Sequence, residues 1–516
     1  MPQLRIGFLA RDWERVEPWV HRLIAKVNSD KQLDVSAFIN AQENTKYPKP
    51  NWLFSVMNPI ERRIFGRTVP SQEPELSKLL SSHPAIPSDD AKSISSLKLD
   101  VIVSVDSSIA NLEISKLTKH GVWVLDLFDQ AGGLKALKAV KGLEAVSSIG
   151  LYRFSNNDPL RQHISTASIN PKFMLSLNLN FMKEKALVLV LRELRQLSWT
   201  REVKQELNDV SSANPSPGTV ELVSYYFGGA LKLVKKGIWK VRRKIGRRSD
   251  QFVLLTGQGN ALDFNPKDTM ELKPPGRDFW ADPFLWKKDG KTYCFYEHFC
   301  GTTLKGHIQV GEFRGNEMEV LGDALKIDIH LSFPYLFEYE DQLYMMPETC
   351  AADRIEIWKC INFPLKWELH STALEGQCAA DTMILRRDGK WWLFSNIATD
   401  IYRDNCSELH IFQIDGPDLK SVIPHRGNPV SLDSRTARNA GRVHEIDGKL
   451  YRPSQDSAFG QYGFGLNIME IEELTLNTFR ERLSRRIDPK FNPQVIACHH
   501  FDTCENRFII DALKTN

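Results

Sequence analysis

Five stretches in the second half of the chain repeat one short pattern, and such a repeat constrains the fold more than any other feature of the sequence. They are residues 281–298, 333–349, 380–397, 440–456 and 497–512. Each has a short motif, an apolar strand, a tight turn and a second strand ending in a polar residue. Three of the turns are Asp-Gly, at Asp289-Gly290, Asp388-Gly389 and Asp447-Gly448. Asp-Gly between alternating apolar runs is a strong hairpin signal, because both residues accept positive φ. Residues 252–516 number 265, or 53 per repeat. That length suits a four-stranded blade, and five blades close a ring without open sheet edges. The repeat therefore predicts an all-β five-bladed β-propeller over 252–516.

The first half has a different texture. Leu4–Leu9, Leu33–Phe38, Val101–Val105 and Val122–Leu127 read as strands, with helical spacing over Glu14–Val27 and Leu112–Thr118. Such alternation predicts an α/β, Rossmann-type domain over residues 1–200 with a mainly parallel sheet. Tyr47–Asp90, rich in Pro and Ser, reads as loop or insertion. Residues 176–210 and 219–248 read as helical, making 201–251 a helical, basic linker. Its run 232–248 holds nine basic residues, no acidic ones, and Trp239. A basic amphipathic helix there would make peripheral contact with an anionic membrane; a solvated helix packing its aliphatic face is the plainer alternative.

The net charge of +3 gives no reason to expect nucleic acid as a partner. The N-terminal residues show no signal-peptide pattern, and no apolar run is long enough to span a bilayer, so a cytoplasmic protein, or one peripheral on the inner membrane face, is expected. All eight cysteines lie in the second half, none in a CxxC pair. No metal site is expected, and free, mostly buried thiols are.

In a propeller the inner strand and its antiparallel neighbour place the start of one and the end of the other on one face. That predicts two rings around the mouth: Asp282, Pro334, Asp381, Arg442 and His499, and Glu297, Glu348, Asn396, Asp456 and Asp511. The spacing from the first ring to the second is 15, 14, 15 and 14 residues over the first four repeats. Acidic, amide, Arg and His side chains around one funnel suit a polar ligand, and glycosyl chemistry needs paired carboxylates. Asp282, Glu348 and Asp381 are the candidate catalytic residues. Glu297, Trp280, Asn396, Arg438, Arg442, Asp456, His499 and His500 are the candidate substrate-binding residues, with Arg442 suited to a donor phosphate. Phe279, Trp280, Tyr335, Trp391 and Tyr462 are candidates to stack on a sugar, although most such rings simply fill space between blades. No cofactor is expected to stay bound; an activated sugar donor is.

The motif Ala281-Asp282-Pro283 is similar to the first-blade Asp-Pro of the five-bladed arabinanases, xylosidases and invertases. In the first two, that resemblance implies a general base at Asp282 and a second aspartate at Asp381. Their blade-four glutamate has no counterpart within residues 438–442. A closer resemblance runs through Phe279–Phe284, Ser332–Tyr335, Met346–Thr349, Gly441–Val443 and Gly448–Asp456. These resemble the N-terminal propeller of glucosamine inositolphosphorylceramide transferases, and similar bacterial proteins carry it behind a formyltransferase-like domain. Residues 1–200 resemble that domain in the order of His120–Asp126 and Gly150–Phe154. Formyltransferases place Asn-x-His where Val124 and Asp126 stand here, so formyl transfer is not expected. Asp158 could correspond to the family's later Asp, and Asp126 and Asp129 could form a polar site at the strand's C-terminal end, where such sheets bind ligands.

The expected function is glycosyltransferase-type, in surface-glycan or glycolipid biosynthesis, acting on a carbohydrate or lipid-linked glycan at the propeller mouth. A glycoside hydrolase using Asp282, Asp381 and Glu348 is the first alternative; a non-catalytic glycan-binding scaffold is the second.

Overall fold

The computed structural model describes residues 2–41, 51–65, 73–83, 85–106, 112–128, 130–155, 158–203, 217–229 and 250–515. The chain forms two compact units, Met1–Leu233 and Val234–Asn516. The basic run 232–248 and Asp129 lie outside the described residues, as does the side chain of Asp158.

The first unit is built on a seven-stranded mixed sheet. Leu4–Ala10 pairs parallel with Leu33–Asn40 on one side and with Val101–Ser104 on the other, and Val122–Leu125 continues the parallel run. Ser147–Ser155 and Asp158–Ile169 then add as antiparallel strands. Parallel strands buried on both faces read as near-continuous apolar runs; Ile6, Phe8, Val101, Ile102 and Val122 are wholly inaccessible. Helices Pro18–Asn28 and Leu175–Thr200 pack against each other. The stretch read as loop contains two helices, Trp52–Phe65 and Glu73–Ser82. Pro59 sits inside the first.

The second unit is a five-bladed propeller. The inner hairpins of blades one to three are Phe279–Lys288 with Lys291–Cys300, Ser332–Tyr339 with Gln342–Glu348, and Ala379–Arg387 with Lys390–Ile397. Blade four is His444–Ile446, Lys449–Ala458, Gln461–Leu474 and Phe479–Ile487 in order. The Asp-Gly turns behave as their chemistry requires: Asp289 and Gly290 have φ of 50° and 75°, Asp388 and Gly389 51° and 72°, Asp447 and Gly448 50° and 74°. Blade five closes the ring from both ends of the domain. Its C-terminal strand Arg507–Lys514 pairs with Gln251–Gln258, which in turn pairs with Met270–Leu272. The fifth repeat lacks outer strands of its own because residues 251–272 supply them. This joins the two ends through backbone hydrogen bonds and leaves no open edge between them.

One expectation about the cysteines is corrected. Cys350 and Cys378 form a disulfide across 28 residues of sequence, while the other six are free thiols. Cys350 follows the end of blade two's second strand and Cys378 precedes blade three's inner strand. Neighbouring blades bring those two ends together, which linear spacing does not reveal.

Candidate functional site

The inner strands of blades one to three share one irregularity. Their pairing slips between Ala281 and Phe284, between Ser332 and Tyr335, and between Ala380 and Met383. Inside each bulge sits a residue with left-handed backbone: Asp282 (φ 49°), Phe333 (45°) and Asp381 (43°). A bulge re-aims a side chain, and Asp tolerates this conformation better than most residues. In blade four the equivalent place is taken by Gly441, with φ 138° and the carbonyl oxygen of Phe501 only 1.9 Å from where a Cβ would stand. The true ring is therefore Asp282, Phe333, Asp381, Gly441 and His499. Pro334 and Arg442 each follow the equivalent residue, Phe333 and Gly441, by one position, as the 14-residue rather than 15-residue spacing to Glu348 and Asp456 already reflects.

The mouth gathers five carboxyl groups: Asp282, Glu297, Glu348, Asp381 and Asp511. Asp511 is wholly buried and ties the last blade to the first. Its oxygens accept from the backbone N–H groups of His499 and His500, both at 2.9 Å, and of Asp282 at 3.2 Å. Asp282 also accepts from the N–H of Phe333, at 3.3 Å, so it links blade one to blade two. The ring nitrogens of His499 and His500 lie 3.6 and 3.5 Å from its Oδ1. Across the mouth, Arg438 grips Asp381 with two hydrogen bonds, at 2.6 and 3.2 Å, and reaches Glu348 at 3.4 Å. Gln455 donates to the same Asp381 oxygen at 3.1 Å. Glu297 faces His330 at 3.4 Å, and Gly306 leaves room for it: a Cβ there would stand 2.6 Å from the Glu297 oxygen.

Electrostatics separates these groups. Burial drives the Asp282 carboxyl up, but the His500 ring 3.5 Å away and the fields of His499 and Arg438 overcome it and hold Asp282 at about 2. Burial drives Glu297 well above the carboxylate range, and the charges of Asp282, Glu348, Asp511 and Asp381 add to the effect. Burial also raises Asp381; Arg438 opposes, while Glu348 and Asp282 reinforce. For His499, burial disfavours the charge, yet Asp511 at 2.8 Å and Asp282 outweigh it and push the imidazole up to about 9. The site thus sets an anionic carboxylate at Asp282 and a cationic His499 in one funnel with Glu297, whose carboxyl burial and neighbouring charges push towards the protonated form. Separated titrations of this kind mark acid and base roles.

Asp282, His499 and Asp511 also offer ligand atoms within 4.8 Å of one another, the spacing of a metal site. His499 carries a proton at neutral pH, so a cation would first have to displace it.

Aromatic rings wall this end of the funnel. Phe279 stacks on Phe299 at 4.4 Å, Phe252 and Tyr462 approach His499 at 4.9 and 5.4 Å, and Tyr462 lies 5.0 Å from the Arg438 guanidinium. Tyr462 is 39% exposed and stands at the rim.

Several expected residues are placed elsewhere. Arg442 is not free for a donor phosphate. It points down the channel, bonded to Asp502 at 2.7 Å and to the carbonyls of Leu285 and Leu336. Trp280 is buried against Tyr296 in the core between blades one and five. Asn396 serves the backbone, bonding the carbonyls of Glu408 and Ala437 and the N–H of Asn439. Asp456 is held by Arg435 and Arg486; burial, with Asp433 and Asp488 and against Arg435, pushes it up to about 6. The Tyr335 hydroxyl donates to the Ile384 carbonyl inside the channel, and Trp391 packs on Tyr339 beside the hairpin turns, on the opposite face. Gln455, His330, Phe252 and Phe299 were missed. Gln455 and Phe299 stand within two residues of the second-strand positions used to find Asp456 and Glu297, so a wider window there would have caught them. His330 and Phe252 carry no repeat signal.

Residues 269–490 match the family described as glucosamine inositolphosphorylceramide transferase 1, N-terminal. The rice protein named glucosamine inositolphosphorylceramide transferase 1 (Oryza sativa subsp. japonica) is 34% identical over 208 residues, covering 40% of this chain and 28% of that one. The Arabidopsis thaliana protein of the same name is 33% identical over 236 residues, 44% of this chain and 30% of its own length. This chain thus spans less than a third of either relative. Among solved structures, the GH43_1 enzyme from Xanthomonas citri complexed with xylose has a TM-score of 0.33 at 16% identity, covering 46% of this chain and 86% of that one. RS223-Beta-xylosidase has a TM-score of 0.34 at 14% identity, covering 46% and 92%. The stretch that matches this family, residues 269–490, lies within the propeller.

Proposed function

We propose that the chain is a glycosyltransferase of glycolipid or surface-glycan assembly that holds its sugar at the propeller mouth. The observation that carries this reading is the funnel in which an anionic Asp282 and a neutral Glu297 stand within one aromatic-lined carboxyl cluster. Sugars present many hydroxyls, and Asp381, Glu348 and Gln455 supply acceptors and a donor for them. In the reaction, Asp282 accepts the proton of the acceptor hydroxyl as its oxygen bonds to the donor's anomeric carbon. The donor's leaving group departs with the bonding electron pair, and Glu297 is the acid placed to hydrogen-bond it. Similarity to proteins named as transferases favours transfer over hydrolysis, while Arg442, engaged by Asp502, does not serve a donor phosphate.

A hydrolase reading has its own support, because a neutral Glu297 beside an anionic Asp282 also suits cleavage of a glycoside by water. Purified protein, supplied with activated sugars and lipid or glycan acceptors, is expected to give a glycosylated product by mass spectrometry. Sugar release from glycosides without any activated donor would support hydrolysis instead, and binding with no turnover would support a scaffold.

The first unit is read as a formyltransferase-like fold that lacks formyl-transfer chemistry. Asp126 is already engaged, accepting from Lys135 at 3.1 Å and from the N–H of Gly150 at 2.7 Å. No formylated amino sugar is expected with a folate donor; product above a no-enzyme control would overturn this.

A further inference from the structure

Two helices of the first unit expose an unusual amount of apolar surface on one side. On helix Trp52–Phe65, Trp52, Val56, Ile60 and Ile64 are 66%, 55%, 47% and 65% exposed. They recur every four residues and so form one stripe. On the helix spanning 219–229, Val220, Val223 and Phe227 are 82%, 55% and 70% exposed, again at helical spacing. Nine large apolar side chains are exposed among the described residues of this unit, and seven of them belong to these two stripes, the others being Leu143 and Phe173. Apolar residues scattered singly need no explanation; a contiguous set does.

The two helices are locked side by side with their polar and buried faces turned inward. The Asn51 amide donates to Thr219 at 3.0 Å, and the Tyr225 hydroxyl donates to Glu61 at 3.0 Å. Glu61, only 4% exposed, also accepts from the N–H and hydroxyl of Ser176, at the start of helix Leu175–Thr200. Leu222 and Tyr225 are buried on the inner side. The stripes therefore are not the packing faces of these helices: each helix has already spent another face on the fold.

The charge pattern points to the occupant. Arg62 and Arg63 flank the first stripe, and three residues beyond Gly229 the sequence enters the run 232–248, with nine cations, no acidic residue and Trp239. An apolar stripe with Trp and Phe, bordered by cations, has the character of a helix lying in a bilayer interface. We infer that the paired helices 52–65 and 219–229 dock the protein on an anionic lipid surface, inserting Trp52, Val56, Ile60, Ile64, Val220, Val223 and Phe227 among the headgroups. This inference is independent of the chemistry assigned to the propeller.

The test is sedimentation of the full chain with vesicles of pure phosphatidylcholine and of phosphatidylcholine mixed with phosphatidylglycerol. Wild type is expected to pellet with the anionic vesicles, less so in high salt. The double variant Val220→Glu, Phe227→Glu is expected to bind at least about tenfold more weakly, since each glutamate replaces an inserting group by a like-charged, hydrated one, while its melting temperature is kept. Should that variant fail to fold, Trp52→Ser on the other helix reads the same surface with a milder change. Wild type that ignores anionic vesicles, or folded variants that bind as wild type does, would overturn the proposal. So would a wild-type dimer that the variants convert to monomer with no change in vesicle binding, which would assign the stripes to a second copy of this chain.

Discussion

Two arginines four residues apart, Arg438 and Arg442, occupy two regions of the propeller that look alike in composition and differ in what they can do. At the channel floor, Arg442 meets one carboxylate, Asp502, which is wholly buried and also accepts from the Leu285 N–H at 2.7 Å. Every strong partner is used, and the pair joins blades one, two, four and five at the channel axis. At the mouth, Arg438 is shared between Asp381 and Glu348, while Glu297, Asp282 and Asp511 crowd the same funnel. The floor is a closed electrostatic account. The mouth holds more carboxyl groups than nearby cations, so protons must stay on some of them, and the remaining hydrogen-bonding capacity faces the opening. Burial with complete pairing is structure; burial with incomplete pairing is where a ligand finds work to do.

The largest effect should come from the floor. Arg442→Met leaves Asp502 buried and unpaired, a change that costs about 3–5 kcal/mol in comparable cases. Urea unfolding should show that loss, whereas Arg438→Met should unfold at a denaturant concentration nearer wild type, because Asp381, which burial already pushes up, can take a proton in place of the guanidinium, and should lose sugar binding. Equal destabilisation by the two would erase the distinction drawn between the regions. Next comes Asp282→Asn, which keeps size and removes charge. Glycosyl transfer should fall by about 100-fold or more, the usual scale for a general acid or base, in a protein that still melts cooperatively; near-normal turnover would place the chemistry elsewhere.

A third effect is in pH. Because the folded protein holds Glu297 above the ordinary carboxylate range, its contribution to stability is complete below about pH 4, the unfolded value, and is lost as pH rises through the folded value. The melting-temperature advantage of wild type over Glu297→Gln should therefore be greatest in acid and shrink as pH rises. A difference that stays flat with pH would mean Glu297 ionises normally. The smallest effect should be Trp391→Phe on the turn face, with activity changed less than about twofold, in keeping with the roughly 0.5 kcal/mol typical of remote substitutions. A large loss there would move the site to the other end of the ring.

The sequence alone determined the propeller, because its signals are local: Asp-Gly turns, two-residue alternation and a motif returning at near-constant spacing each specify a hairpin without reference to anything distant. It also determined that Asp282, Glu348 and Asp381 share a face, since that follows from one hairpin's geometry repeated. The parallel sheet at the N-terminus was legible for the same reason, from apolar runs at Leu4, Leu33, Val101 and Val122. Tertiary structure decided the rest. Arg442 stands one residue after the position equivalent to Asp282, Phe333 and Asp381, and the partners that hold it at the floor, Asp502 and the carbonyls of Leu285 and Leu336, come from other blades. The pairing of Cys350 with Cys378, the closure of blade five by residues 251–272 and the arrival of His330 beside Glu297 all join segments distant in the chain. Their energy comes from contacts that exist only once the ring has closed, and no local pattern encodes them.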